Sequence, residues 1–176
     1  MPRNWEEHYA QQADLDFTPV PLLVEVADLL PPGRALDLAA GAGRNALYLA
    51  SLGWSVVAVD ASPKAMDILR ARAPSSIETY TADLETGGFA IEPDRYDLIC
   101  DFFYLQRSLF PQIREGVRPG GLFAAEIHLR DGPGHQFVLE PGELRDEFHG
   151  WKILYYSESA RPGHTRPTAR IIARRA

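Results

Sequence analysis

Cysteine is nearly absent from this chain, since Cys100 is the only one among its 176 residues. A lone cysteine excludes an internal disulfide and a cysteine-ligated zinc cluster, and it is typical of a reducing compartment. Positive charge is also scarce, because 18 Lys and Arg residues face 24 Asp and Glu residues, for a formal net charge of -6. Such a chain repels nucleic acids and anionic membranes, so we expect neither as a partner.

Long apolar segments, internal repeats and low-complexity stretches are missing from the sequence as well. No uncharged apolar run reaches the ~18 residues that cross a bilayer. Residues 1–9 lack the apolar core of a signal peptide. We therefore expect a cytoplasmic, soluble protein with one domain over residues 1–176, long enough to bury a sizeable core without disulfides or metals.

The segments that are present alternate between helical and strand-like patterns, which predicts an α/β fold with a doubly wound, mostly parallel sheet. The chain ends on two strands without an intervening helix, which predicts a terminal hairpin and an antiparallel last strand. Residues 1–32 are expected to form an N-terminal helical cap or lid, and residues 128–141 a loop on the substrate side. The predicted helices cover residues 21–30, 45–52, 63–72, 105–117 and 143–148. The predicted strands cover residues 35–39, 56–59, 77–80, 96–100, 122–127, 151–156 and 168–173.

The most informative segment is a glycine-containing turn after the first predicted strand. Residues 35–46 read Ala-Leu-Asp-Leu-Ala-Ala-Gly-Ala-Gly-Arg-Asn-Ala, and the second strand ends at Asp60, 19 residues after Gly41. A glycine turn lets backbone amides approach a ligand, and an acidic residue at the end of the next strand can accept both hydroxyls of a ribose. The spacing therefore predicts a nucleoside-containing cofactor, with NAD and S-adenosylmethionine both open.

Asp37 distinguishes these two cofactors. It stands inside the first strand, four residues before Gly41, which places a carboxylate near the mouth of the turn. The pyrophosphate of NAD would be repelled there, whereas the ammonium and sulfonium groups of S-adenosylmethionine would be attracted. A nicotinamide enzyme usually needs a second domain too, for which 176 residues leave no room. We therefore favour S-adenosylmethionine as cofactor, with S-adenosylhomocysteine as product.

Five motifs, in order, resemble those of the class I S-adenosylmethionine-dependent methyltransferases over residues 35–173. They are Leu36 to Gly43 for the glycine motif, Val57 to Asp60 for the ribose-binding strand end, Ala82-Asp83 beside the adenine, Tyr96 to Ile99 for the fourth strand and Arg118 to Gly121 before the fifth. Residues 43–50 and 5–9 further resemble the small tellurite-resistance and thiopurine-related type. The resemblance implies the strand order 3-2-1-4-5-7-6 and methyl transfer as the activity.

The resemblance and the residue types together nominate the cofactor-binding residues. Asp37 would pair with the amino group of the cofactor, Asp60 would accept the ribose hydroxyls and Asp83 would approach the adenine. Simpler roles stay open: Asp37 as a hydrogen-bond acceptor in the turn, Asp60 as a helix cap and Asp83 as a solvated loop residue. The full set of candidates is Asp37, Ala39, Gly41, Gly43, Asn45, Asp60, Ala61, Ala82, Asp83, Asp101, Phe102, Trp5 and Tyr9.

Aromatic residues form part of that set. Trp5 and Tyr9 are four residues apart, so one helical face can carry both as a lid over the cofactor, and a plain docking helix has the same spacing. Residues 101–104, Asp-Phe-Phe-Tyr, follow the fourth strand, where aromatic faces can stabilise a sulfonium. At least one of Phe102 and Phe103 is expected to belong to the core instead.

Ala39 departs from the family pattern, because it stands where the first of three alternating glycines is common. Alanine tolerates a strand-end conformation but directs a methyl group toward the cofactor. We therefore expect a reduced affinity for the cofactor.

The acceptor side is less well defined. His128 and Tyr104 are the candidate catalytic residues, with Glu126, Arg130 and His135 beside them. A base is needed only for a neutral alcohol or amine, since an ionised thiol or oxyanion attacks directly. The C-terminal arginines are interpreted as a solvated face, with an anionic substrate as the alternative. These are Arg161, Arg166, Arg170, Arg174 and Arg175.

The predicted function is methyl transfer from S-adenosylmethionine to a small-molecule acceptor. The alternative is a non-catalytic module that binds S-adenosylmethionine or S-adenosylhomocysteine, and a small nucleotide-dependent reductase is a further one. A nucleic-acid methyltransferase is disfavoured, because residues 101–104 lack the Pro-Pro pair of a base-flipping pocket. No recognised metal-ligand spacing occurs, so no metal is expected. The oligomeric state is left open.

Overall fold

The fold is an α/β domain, known from a computed structural model that describes residues 4–11, 14–133 and 137–176. Its helices are α1 (Trp5–Gln11), α2 (Pro21–Ala27), α3 (Arg44–Ser51), α4 (Pro63–Arg70), α5 (Leu109–Gly116) and α6 (Glu143–Glu147). Its strands are β1 (Arg34–Leu38), β2 (Ser55–Asp60), β3 (Ile77–Thr81), β4 (Tyr96–Phe102), β5 (Val117–His128), β6 (Lys152–Ala160) and β7 (Pro167–Arg174).

The seven strands form one sheet in the order β3-β2-β1-β4-β5-β7-β6. The first five strands pair in parallel, whereas β7 runs antiparallel to both β5 and β6. The predicted fold class, strand order and antiparallel last strand are therefore confirmed. The order reverses between β1 and β4, and such a switch point opens a crevice at the carboxyl ends of the strands.

Apolar side chains cover both faces of the sheet, as a doubly wound sheet requires. On one face, α2, α3 and α4 bury Leu23, Leu49 and Leu69 in a continuous cluster. On the other face, the rings of Phe123 and Phe148 stack with centroids 4.4 Å apart. Successive side chains of a strand point to opposite faces of the sheet. Because both faces are covered, the central strands are apolar at nearly every position.

Two predicted boundaries were wrong near the fifth strand. The helix predicted from Leu105 begins only at Leu109, because Pro111 is tolerated in a first helical turn and disrupts a helix interior. The segment Arg118 to Gly121, predicted as a turn, is included in β5, with a register shift against β4 and a positive φ of 81° at Gly120. Because α5 begins later than predicted, Leu105 belongs to the loop between β4 and α5.

Within the described ranges, no helix combines the length and the apolar character that a membrane span needs. The longest helices have eight residues. This finding concerns the helices alone.

Candidate cofactor and acceptor site

A cavity of about 1450 Å³ opens at the carboxyl ends of β1, β2 and β4. Its wall combines the glycine turn after β1, the end of β2, the segment after β4 and one side of α1. Pockets for single small ligands typically measure about 300–1,000 Å³, so this one has room for a cofactor and an acceptor together. The crevice expected from the strand order is therefore present.

The glycine turn has the left-handed backbone that a close approach requires. Ala39, Gly41 and Gly43 have φ angles of 51°, 57° and 90°. A Cβ atom at Gly41 would overlap the hydroxyl of Tyr9, and one at Gly43 would overlap the side chain of Leu69 on α4. Ala39 and Gly41 line the cavity, whereas Gly43 is the N-cap of α3 and packs away from it.

Asp60 connects the glycine turn after β1 with the start of α4. Its Oδ2 accepts a hydrogen bond from the Gly41 N–H at 2.8 Å, and its Oδ1 accepts one from the Ser62 N–H at 2.9 Å. Burial raises the pKa of this carboxyl, while those backbone donors oppose the rise. Each carboxylate oxygen has a second lone pair, so ribose hydroxyls can still bind. Ser62, not Asp60, caps α4, since its side chain accepts from Ala65.

Asp37 lies beneath the turn rather than on the cavity wall. The residue is 1% exposed, and its Oδ2 has no hydrogen-bond partner among the described residues. Burial raises its pKa to about 7, against the opposing effects of the Arg44 guanidinium and a backbone hydrogen bond from Ala46 in the first turn of α3. The simpler role left open for Asp37, a hydrogen-bond acceptor in the turn, is thus present, while its Oδ2 has no partner among the described residues. Pairing with the amino group of the cofactor stays a prediction.

Asp101 and Ala82 also lie outside the cavity lining, unlike Ala61 and Asp83. Asp101 is 1% exposed, and its Oδ1 has no partner among the described residues. Burial raises its pKa, and the Asp37 charge adds to the rise. Ala82 packs on the apolar core and donates its N–H to the Asp60 backbone carbonyl at 3.0 Å. Asp83 accepts a hydrogen bond from the Glu85 N–H at 2.9 Å.

Asn45 has a structural task that its position in the motif did not indicate. Its side-chain oxygen accepts a hydrogen bond from the Val20 N–H at 3.0 Å, just before α2. The residue is 5% exposed and also borders the cavity. Asn45 therefore links the start of α2 to the start of α3, whether or not it also contacts a cofactor.

Helix α1 supplies one wall of the cavity through Trp5, His8 and Tyr9. The Trp5 and Tyr9 ring centroids are 6.3 Å apart, as expected for one helical face. Burial raises the pKa of Tyr9, with a further contribution from Asp60, and a backbone hydrogen bond at Ala42 opposes them. The predicted pair thus lies at the site, whereas α2 packs on the sheet beside β5 and forms no part of the wall.

The aromatic segment after β4 faces the same cavity. Phe102 is 7% exposed and belongs to the core as well as to the wall. Phe103 has a positive φ of 64°, and its ring lies between the guanidinium groups of Arg44 and Arg161, at 5.8 Å and 5.1 Å. Strained backbone of this kind concentrates at functional sites. Burial raises the pKa of Tyr104 far above neutrality, so its phenol is a hydrogen-bond donor there.

The acceptor-side candidates divide into two groups. His128 lines the cavity, with its ring centroid 5.6 Å from that of Phe103. Glu126 points elsewhere, since it is 1% exposed and is bound by Thr168 and Arg161. Arg130 pairs with Glu140. His135 lies outside the described residues.

Arg44 and Arg166 are wall residues that sequence reasoning missed or gave another role. Arg44 directly follows the glycine motif, and that position was its only signal. Arg166 was interpreted as part of a solvated face, with an anionic substrate as the alternative, and its Nε is buried with no hydrogen-bond partner among the described residues. The two guanidinium groups come from distant parts of the chain, so only the fold brings them to one cavity.

These residues suit S-adenosylmethionine. The glycine turn presents left-handed backbone at Ala39 and Gly41 on the cavity wall, and the Asp60 carboxylate is hydrogen-bonded to it. The buried Asp37 carboxyl, whose Oδ2 has no partner among the described residues, can ionise beneath the turn when a cationic ligand binds, whereas a pyrophosphate would oppose that ionisation. Together with the strand order, this defines the architecture of the class I S-adenosylmethionine-dependent methyltransferases.

The chain belongs to the family of the tellurite resistance protein TehB, whose model matches residues 4–168. It is 29% identical over 150 residues to the probable S-adenosyl-L-methionine-dependent methyltransferase TehB of Haemophilus influenzae, covering 78% of this chain and 52% of that protein. It is also 32% identical over 148 residues to hemagglutinin 1 of Eikenella corrodens, covering 77% and 49%. The chain thus spans about half the length of these relatives.

The fold matches solved structures over nearly the whole chain. The crystal structure of TehB from Haemophilus influenzae superimposes with a TM-score of 0.79 at 23% identity, covering 98% of this chain and 67% of that one. The predicted resemblance to the tellurite-resistance type and to class I methyltransferases is therefore confirmed.

Proposed function

We propose that this domain transfers a methyl group from S-adenosylmethionine to a small anionic acceptor. The observation that carries the proposal is the shared cavity, whose wall contains the predicted cofactor turn together with Arg44, His128 and Arg166. Membership of a family with S-adenosylmethionine-dependent relatives supports the cofactor. The cavity is concave and lies at the sheet edge, which favours a small molecule over a nucleic acid.

The proposed cofactor-binding residues would act on different parts of S-adenosylmethionine. Asp60 would bind the ribose hydroxyls, Asp83 would approach the adenine, and Gly41 would present its backbone. Asp37 and Asp101 would act through space from beneath the turn, since buried carboxylates attract a cationic ligand strongly in a low dielectric. Ala39, Asn45, Ala61 and Phe102 would complete the wall, while Gly43 and Ala82 would hold its backbone in place.

The positions of the arginines favour an acceptor with an ionised oxygen, sulfur or heavier chalcogen atom. Arg166 lines the cavity, its buried Nε has no hydrogen-bond partner among the described residues, and guanidinium groups bind oxyanions with good geometry. The name of the family points to tellurite as one such anion. His128 and the protonated Tyr104 would orient it by hydrogen bonds, so no base is required.

Bound S-adenosylmethionine supplies a methyl group already activated by its sulfonium sulfur. A lone pair of the acceptor forms the new bond to the methyl carbon while the carbon–sulfur bond breaks, and that electron pair stays on sulfur. The residues of the chain contribute orientation, exclusion of water and electrostatics. A cytoplasmic location fits this chemistry and the free, buried thiol of Cys100.

Calorimetric titration with S-adenosylhomocysteine tests the cofactor site. Asp60→Ala should weaken binding about 100-fold, because two hydrogen bonds to a charged group are lost at roughly tenfold each. Asp67→Ala is the matched control, since it removes an exposed aspartate of α4 that pairs with Arg70. Failure of the wild-type protein to bind contradicts the proposal, and binding of NAD alone would indicate redox chemistry instead.

An acceptor screen tests the second half of the proposal, which is that the acceptor is a small anion. Formation of S-adenosylhomocysteine is measured with tellurite, selenite, small thiols and neutral amines, for wild type, Arg166→Gln and the control Arg95→Gln, which lies at the far end of β4. We expect anionic acceptors to react and Arg166→Gln to raise their KM about tenfold. Cofactor binding without turnover on any acceptor would instead identify a non-catalytic binding module.

A further inference from the structure

Helix α1 needs an external anchor. It has seven residues, and none of them is buried. An isolated helix of this length is not stable in water, so its position must come from specific contacts with the rest of the domain. Because α1 carries Trp5, His8 and Tyr9 on the cavity wall, those contacts also decide the shape of the cavity.

Glu6 makes such contacts with the start of α4. Its Oε2 accepts hydrogen bonds from the Ser62 hydroxyl at 2.5 Å and from the Lys64 N–H at 3.2 Å. Ser62 is 4% exposed, and its oxygen accepts the capping hydrogen bond from the Ala65 N–H. Glu6 therefore provides the acceptor for a buried hydroxyl proton that the cap itself does not use.

Tyr9 makes a second contact from the same helical face, three residues further on. Its hydroxyl lies against Gly41 and is hydrogen-bonded by the backbone at Ala42, at the glycine turn. Glu6 and Tyr9 thus bind on either side of Asp60, which accepts hydrogen bonds from both the Gly41 and the Ser62 N–H. Helix α1 spans the proposed ribose site between two fixed points.

We propose that Glu6 is the positioning residue that docks α1 over the ribose end of the cofactor site and so retains the bound cofactor. The inference rests on the proposed function for the identity of its ligand. Glu6 is linked through Ser62 to Asp60, and this link couples the position of α1 to the carboxylate that would bind the ribose.

Glu6→Ala tests the proposal against Glu7→Ala, which removes the same charge from the adjacent position in the first turn of the same helix. Glu6→Ala should weaken S-adenosylhomocysteine binding about tenfold, mainly through faster dissociation. Its melting temperature without ligand should stay within about 2 °C of wild type, because α1 buries none of its own residues and water can reach the Ser62 hydroxyl once the helix detaches. Glu7→Ala should leave both quantities unchanged.

Glu6→Gln separates the hydrogen bonds from the charge. Its amide oxygen can still accept from Ser62 and Lys64, so it should restore most of the lost affinity if hydrogen bonding positions the helix. Hydrogen exchange at short labelling times supplies an independent readout: residues 4–11 of the ligand-free protein should exchange faster in Glu6→Ala than in Glu7→Ala.

Two results would overturn the proposal. One is equal affinity and equal exchange for Glu6→Ala and Glu7→Ala. The other is a large fall in the melting temperature of Glu6→Ala with unchanged affinity, which would make Glu6 a general stabilising residue. If wild type fails to bind S-adenosylhomocysteine, the proposed function fails, and the exchange comparison still decides whether Glu6 docks α1.

Discussion

Ala39 adopts a left-handed conformation, with φ of 51°, that alanine disfavours. The conformation costs an L-residue roughly 1–2 kcal/mol, and glycine avoids that cost while losing about 0.5–1 kcal/mol through its greater freedom when unfolded. Ala39→Gly should therefore raise the free energy of unfolding by up to about 1 kcal/mol, measured by urea denaturation.

Ala40→Gly is the control for this change. Ala40 is 8% exposed and has no positive φ, so glycine there should only destabilise the protein. An increase in stability for both variants would show that strain at residue 39 is not the cause. The sequence pattern did not indicate this backbone strain, and the reduced cofactor affinity expected from Ala39 stays a prediction.

Asp37 should couple cofactor binding to proton release. Burial raises its pKa to about 7 in the empty protein, so below that pH the carboxyl is mostly neutral, whereas a cationic ligand stabilises the charged form. S-adenosylhomocysteine, through its ammonium group, should therefore bind more tightly as the pH rises toward 7. Calorimetry at pH 6, in two buffers of different ionisation enthalpy, measures the protons released.

The variant Asp37→Asn should remove that proton release. Its amide oxygen can still accept the backbone hydrogen bond from Ala46, so the turn should persist. An equal release of protons by wild type and variant would assign the linkage to Asp60 or Asp101, whose pKa values are also raised by burial.

At the scale of elements, Gly43 sets the distance between α3 and α4. A Cβ at this position would overlap the Leu69 side chain, and its φ of 90° is left-handed. Gly43→Ala should therefore lower the free energy of unfolding by about 2–4 kcal/mol, from backbone strain and overpacking together. Gly87→Ala is the control, because its φ is 76° and nothing lies within 4 Å of the added Cβ. Urea denaturation of both variants isolates the packing contribution, and equal losses would contradict it.

Helix and strand positions were predictable wherever the pattern was local. Ser62 and Pro63 define the start of α4, and the structure has Ser62 as its cap. The start of α5 was wrong because apolar spacing from Leu105 outweighed the constraint from Pro111. The role of Asn45 could not be predicted, since its hydrogen bond to Val20 spans 25 residues of sequence.

At the scale of the whole molecule, the strand order followed from the family resemblance, because periodicity contains no information about which strands are neighbours. The cofactor half of the cavity comes from contiguous motifs and was largely predictable. Arg44 and Arg166 reach one cavity from distant parts of the chain, and the contact between Glu6 and Ser62 spans 56 residues of sequence. The terminal hairpin and the helix that carries Trp5 and Tyr9 were predicted from local patterns, but which residues their side chains contact depends on the fold.

Without added ligand, the contribution of Asp37 to the stability of the domain should fall as the pH rises from about 4 to about 7. The folded Asp37 carboxyl keeps its proton up to about pH 7, whereas the unfolded group loses it near 3.8. The folded state therefore binds more protons across this window, and stability falls by at most about 1.4 kcal/mol per pH unit for this group. Burial raises the pKa of Glu143, but its pairing with Arg107 and a backbone hydrogen bond from Glu140 together lower it below the usual value. Glu143 therefore contributes the opposite slope, so wild type must be compared with Asp37→Asn.

The difference in stability between wild type and Asp37→Asn isolates the contribution of the Asp37 carboxyl. Asp37→Asn should gain stability relative to wild type as the pH is raised from 5 to 8 in denaturant titrations, because the amide never ionises. Saturating S-adenosylhomocysteine should reduce the difference at pH 8, since the ligand's ammonium offsets the buried charge. A stability difference that does not change with pH would mean that Asp37 titrates alike in the folded and unfolded chains, and the cofactor would then gain nothing from its burial.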